Sequence, residues 1–249
     1  MANYCRYSSS DVFRAYLGAT RINLRERTAY SGGQGVFASA ANERFNATFF
    51  NQANVWAREY DDMFYNWVPG AGRLDWIGHV GTYGHCASST TSMHHTGRAL
   101  DLARIQCGST GWFVDMNWSW KQGLMHRRRY LSAAAYLRRY FKTVIQFTDA
   151  NHKDHIHFDN GSTLGGLKTT SKGDVTIMQM ACNWQNGESL TINGTWTSGL
   201  GAAMTRLKTK MGMSCLDVYG NLDHAKIFLG VLAYDAANNQ PAGQPWGVC

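Results

Sequence analysis

Ser92-Met93-His94-His95-Thr96-Gly97-Arg98-Ala99-Leu100-Asp101 and, further along, His152-Lys153-Asp154-His155-Ile156-His157 are the stretches on which the reading of this chain turns. Between them they gather five of the nine histidines together with two aspartates. Scattered surface histidines rarely cluster so. Zinc accepts imidazole nitrogen and carboxylate oxygen at about 2 Å, and a catalytic zinc takes three protein ligands and leaves one position for water. Two His and one Asp meet that count. If 154–159 is a strand, His155 and His157 share one face while Ile156 turns to the core, because side chains alternate. Asp101 lies between the small Ala99 and Ala103 on its own face, and Gly97 allows the chain to turn so that His94 and Asp101 can approach one ion.

Working outward, alternation marks short strands at 76–83 and 98–105. Good helix formers with apolar residues at helical spacing (Leu124, Tyr130, Leu131, Ala134, Leu137, Phe141) predict a helix over 123–142. The segment 143–148 reads as a strand and 149–153 as a turn, which makes a hairpin with 154–159. Upstream, the first 70 residues read as scaffold, with helical pieces at 10–17 and 39–67 and a stop at Pro69-Gly70. After Asn160-Gly161-Ser162-Thr163-Leu164-Gly165-Gly166 three amphipathic segments follow, at 174–183, 197–211 and 222–234. The expected fold is α+β: a small antiparallel sheet flanked by helices and carrying a zinc site (1–165), then a small three-helix domain (166–249).

The 249 residues, 44% hydrophobic and 16% charged, suffice for one large core or a core with a small satellite. No apolar run is long enough to span a bilayer, and the start Met-Ala-Asn-Tyr-Cys has neither a basic nor an apolar signal region. The expectation is a secreted or wall-associated monomer, or one released by a route such as phage lysis. Net charge is +7; from Lys172 onward Lys/Arg and Asp/Glu balance at five each, so the excess lies before it. Such a field attracts polyanions, whether nucleic acid, anionic membrane or wall polymer. Its densest part, Arg127, Arg128 and Arg129 with Arg138 and Arg139, reads as a solvated helix face. Six cysteines without a CxxC pair exclude a zinc-finger or thioredoxin reading and suggest three disulfides, Cys86 with Cys107 favoured because they bracket one motif. The alternative is a set of buried thiols.

The first stretch reads Ser-x-His-x-x-Gly-x-Ala-x-Asp and the second His-x-Asp-His-x-His. Together they resemble the zinc D-alanyl-D-alanine carboxypeptidases, whose superfamily includes the hedgehog-domain fold and lysostaphin-type endopeptidases; from Gly81-Thr82-Tyr83 to Asp101 the chain is also similar to extensin-like bacterial proteins. The resemblance implies that His94, Asp101 and His157 are zinc ligands, that Asp154 is the general base, and that His155 steadies charge in the transition state. His152 is implied as a secondary contributor. Relatives carry a substrate-binding arginine upstream of the first motif; this chain has Cys86-Ala87 there, which leaves Arg98 and Arg73 as substitutes at non-matching positions. The tail from Gly173 on, with Leu190-Thr191-Ile192-Asn193-Gly194-Thr195-Trp196 between its first two helices, resembles a three-helix peptidoglycan-binding domain. The expectation is a zinc-dependent D,D-peptidase, carboxypeptidase or endopeptidase, acting on peptidoglycan stem peptides. The alternative is a non-catalytic, zinc-containing wall-binding protein. A nucleic-acid enzyme is disfavoured because the tail carries no excess charge.

Overall fold

The structure, a computed structural model, describes residues 11–18, 21–40, 42–81, 92–108, 111–243 and 246–249. It is α+β, but the sheet is neither small nor wholly antiparallel. Among the described residues ten strands form: β1 (Asp11–Arg14), β2 (Tyr16–Leu17), β3 (Ile22–Ser31), β4 (Gln34–Phe37), β5 (Glu43–Asn46), β6 (Leu74–Gly81), β7 (Ala99–Cys107), β8 (Phe113–Asp115), β9 (Thr143–Ile145) and β10 (Ile156–Asp159). The main sheet runs β2-β3-β6-β7-β10-β9, with β4 added to β3 and β8 to β7, while β1 and β5 pair separately. β3 and β6 are parallel and the other pairs antiparallel. A parallel pair needs a long crossover, which α1 (Ala47–Trp67) supplies.

The helix expected at 10–17 is instead β1 and β2, and the helix expected from 39 begins only at Ala47. The partner of β1 is β5, which joins Asp11 to Asn46. Pairing at that separation overrides local preference. Asn46 then ends β5 and caps α1, its side chain accepting from the amides of Thr48 and Phe49. Along α1, Phe49, Ala53, Trp56, Ala57, Tyr60 and Phe64 recur at helical spacing and are fully buried.

Phe158 of β10 fits into that stripe, with ring centroids 5.7 Å from Phe49, 5.6 Å from Trp56 and 4.6 Å from Phe141. Truncating such a ring costs about 3–5 kcal/mol. The packing fixes which way β10 faces: Ile156 and Phe158 point inward, and His157 between them points to the opposite face.

The helix expected at 123–142 is α2 (Leu124–Arg138), and the three C-terminal segments are α3 (Lys172–Asn186), α4 (Ser198–Lys210) and α5 (Leu222–Ala237). Ser171, Thr197 and Asn221 cap them. α2 packs on α3 and α5, and one hydrophobic core runs from the sheet into these helices. The arginine cluster is not a solvated face. Arg128 is buried and donates to the carbonyls of Trp184 and Asn239, and Arg138 is buried against Asp174.

Of the three expected disulfides one forms among the described residues, and two cysteines follow the alternative of buried thiols. Cys215 and Cys249 are bonded, but Cys107 and Cys182 are buried free thiols. Cys107 therefore does not pair with Cys86, which lies with Cys5 outside the described residues. Burial pushes both free thiols up to about 12, leaving them inert. Among the described residues no helix is long and apolar enough to cross a membrane.

Candidate metal centre

Two neighbouring strands and one turn carry the cluster. In the antiparallel β7/β10 ladder His157 stands directly opposite Asp101, the position at which cross-strand side chains meet. On the other side of Asp101 the register partner is Gly81, which puts no side chain in the way. His94 arrives on the 3-10 turn Met93–Thr96, which Ser92 caps by accepting from the His94 amide. Gly97 ends that turn in the left-handed region at φ +65°, and a Cβ there would stand 2.7 Å from the Asn46 nitrogen. Only glycine fits.

The result is a tight triangle. His94 Nε2 lies 3.1 Å from Asp101 Oδ1 and 3.1 Å from His157 Nδ1, and His157 Nδ1 lies 2.9 Å from Asp101 Oδ1. Two-ångström bonds in tetrahedral geometry would set ligand atoms about 3.3 Å apart. The donor set therefore matches the span of a small cation, and these three residues could hold a metal ion.

The chemistry of the donor set agrees with its span. His157 Nε2 donates to Asp159 Oδ2 at 3.0 Å. With a proton on Nε2, the Nδ1 that faces Asp101 at 2.9 Å either carries a second proton or turns its lone pair toward a shared cation, and in both cases positive charge sits between the ring and the carboxylate. Asp159 thus stands behind His157 as a carboxylate that orients the ring, the arrangement found behind histidines that ligate metals. The sequence carried a signal for it: on a strand, Asp159 falls two residues after His157 and so on the same face.

Burial opposes charge on both partners but is outweighed. Hydrogen bonds with His157 and His94 hold the Asp101 carboxyl well below the usual carboxylate range, and Asp101 and Asp159 raise His157 to about 9. Both directions describe a centre that favours positive charge.

Asp154 and His155 adjoin the triangle. His155 Nδ1 donates to Asp154 Oδ1 at 2.8 Å, and its Nε2 lies 3.6 Å from Asp101 Oδ1. The other Asp154 oxygen accepts from Arg27 Nη2 and from the Tyr30 hydroxyl, each at 2.6 Å. Against the effect of burial, Tyr30, His155 and Arg27 hold the Asp154 carboxyl well below its ordinary value. Burial lowers His155 despite its two acidic neighbours. His152 donates through Nδ1 to Asp149, and its ring stands 4.9 Å from that of His155 and 5.6 Å from that of His157.

The two substitute arginines are placed differently. Arg98 is close in sequence to the cluster, but its guanidinium is engaged with Asn160, donating to Oδ1 at 2.9 Å and to the carbonyl at 2.8 Å. Arg73 is not brought to the centre. It precedes Leu74, at the end of β6 opposite Gly81, and pairs with Asp61 and Asp62 over the Tyr65 ring. Ala87, where relatives carry the arginine, lies outside the described residues.

Fold and centre together define an α+β protein with a His2Asp cluster at the junction of two strands and a turn. No family model matches the chain, and no curated protein or solved structure matches it.

Proposed function

We propose that the chain is a zinc-dependent peptidase that cleaves peptidoglycan stem peptides, with His94, Asp101 and His157 holding the ion. The observation that carries the reading is the His94–Asp101–His157 triangle with an Asp–His pair against its edge. A zinc ion there would supply Lewis acidity, polarising a peptide carbonyl and lowering the pKa of a water toward about 7. The chain's own residues do the rest. Asp159 holds the His157 ring in one orientation, and the Asp154–His155 pair beside Asp101 would carry a proton from the attacking water to the leaving amine.

The substrate class rests on the resemblance of the two motifs to wall peptidases, and the helices α3 to α5 are the proposed wall-binding part. The Cys215–Cys249 disulfide supports action in an oxidising compartment outside the cytoplasm. The test is incubation of zinc-loaded protein with muropeptides, with and without a chelator, followed by mass analysis. The reading expects loss of a terminal residue or a cross-link that the chelator abolishes; unchanged peptides in metal-replete buffer would overturn it.

A further inference from the structure

Arg27 and Tyr30 come from β3, 127 and 124 residues before Asp154, and no motif includes them. They converge on one carboxylate. Arg27 Nη2 and the Tyr30 hydroxyl both donate to Asp154 Oδ2, Arg27 Nη1 donates to the Asp154 carbonyl at 3.2 Å, and the guanidinium lies 4.3 Å from the centroid of the Tyr30 ring. Asp154 itself sits in the irregular segment before β10, where no strand ladder holds it. Trp120 fixes the residue before it, donating to the Lys153 carbonyl at 3.0 Å.

These contacts decide how the Asp154–His155 pair faces the centre. An ionised carboxylate can only accept, so the bond at 2.8 Å places a proton on His155 Nδ1. The ring held in this way turns its other nitrogen, Nε2, toward the centre, 3.6 Å from Asp101 Oδ1. With Oδ2 occupied by two donors and Oδ1 by His155, the pair meets the centre through the imidazole.

We propose that Arg27 and Tyr30 are positioning residues of this site: they clamp Asp154 so that it orients His155 with Nε2 toward the centre. The inference rests on the peptidase reading for its effect on turnover but not for its geometry. It also assigns a task to the β3–β4 hairpin, which holds a short catalytic segment from outside.

The experiment uses the zinc-loaded full chain and three variants, Arg27→Ala, Tyr30→Phe and Asp154→Asn, and it reads two quantities. One is turnover of muropeptides; the other is the His155 tautomer from imidazole 15N shifts. Residues that orient a group beside a metal typically affect activity by about 10–100-fold, so Arg27→Ala should lower kcat by about that factor with KM within about twofold and zinc stoichiometry unchanged. Millimolar guanidinium should restore part of it. Tyr30→Phe keeps the ring beneath Arg27 and removes one donor, so it should fold normally and show a smaller fall in kcat. In wild type His155 should carry its proton on Nδ1, and Arg27→Ala and Asp154→Asn should convert this to a mixture. Tautomer and kcat unchanged in both Arg27→Ala and Tyr30→Phe would overturn the proposal, and so would a fall in kcat with the tautomer intact. If wild type cleaves nothing while the tautomer still responds to Arg27→Ala, the peptidase reading fails and the clamp stands.

Discussion

Two charged clusters in this molecule, one buried and one half-buried, are built on opposite plans. Where α2 meets α3, Arg138 and Asp174, 1% and 2% exposed, form a fork of two bonds at 2.6 and 3.1 Å. The remaining capacity is filled from nearby: Arg138 Nη2 also donates to the carbonyls of Gly165 and Gly166, and Asp174 accepts from the Lys168 amide and from Lys142. Both carboxylate oxygens of Asp174 meet donors. At the β7/β10 junction, by contrast, two imidazoles and a carboxylate converge within 3.1 Å, a set rich in lone pairs that favours an added cation. A cluster that closes on itself stabilises a fold; one that converges without closing is equipped to bind.

The largest effect should come from breaking the closed cluster. Arg138→Ala leaves Asp174 buried without its main partner, a change that typically costs about 3–5 kcal/mol, and urea denaturation would measure it. An unchanged midpoint would mean that water reaches Asp174 and that the two clusters are not different in kind. The open cluster should respond to zinc instead. At free zinc about one hundred times its dissociation constant, wild type should gain about 2.7 kcal/mol over chelator-treated protein, a gain absent in His157→Ala. A wild-type midpoint indifferent to zinc would remove the distinction altogether.

The contrast sharpens at Asp159, which touches the proposed ligand His157 and lies outside the triangle. Asp159→Asn can still accept from His157 Nε2 but loses the charge behind it, and such changes weaken metal binding by about 10–100-fold. Competition with a zinc-selective chelator gives the number. Wild-type affinity in the variant would make Asp159 a strand-end carboxylate with no part in the site.

The parts of this architecture legible in the sequence are those whose information is local. His94, Asp101, His155 and His157 sit in short motifs, β7 and β10 follow from alternation, and α2 to α5 follow from apolar spacing. What was not legible depends on partners far along the chain. Asp11–Arg14 becomes a strand because β5 is there to pair with it, and the parallel β3/β6 pair exists because α1 carries the chain across the sheet. The same distance hid Arg27 and Tyr30 in a region that reads as scaffold. Arg128 and Arg138 look like a solvated patch because a helix pattern shows spacing and not the carbonyls and carboxylate that will meet each guanidinium. Cys107 suggested a bridge by its nearness to a motif, yet its strand position turns it into the core.

The smallest predicted effect concerns a third buried charge, which has neither plan. Asp235 on α5 is 2% exposed, and among the described residues neither carboxylate oxygen has a well-formed hydrogen bond. Burial pushes its carboxyl up to about 6, with the Trp246 indole the only influence in the other direction. In the unfolded chain the same group titrates near its ordinary 3.8. The folded protein therefore binds a proton more tightly than the unfolded one, so this group's contribution is most favourable below pH 3.8, falls as pH rises toward 6 and stays at its lowest above that. Asp235→Asn removes the titration while keeping the shape. It should stabilise the protein by on the order of 1 kcal/mol at neutral pH, a rise in Tm of about 2–4 °C for a chain of this size, and the advantage should vanish below pH 3.8. A gain that persists at low pH would trace the effect to packing or to the indole contact. No gain at neutral pH would mean that Asp235 has a polar partner in solution, and that the molecule buries charge only in clusters that either close or bind.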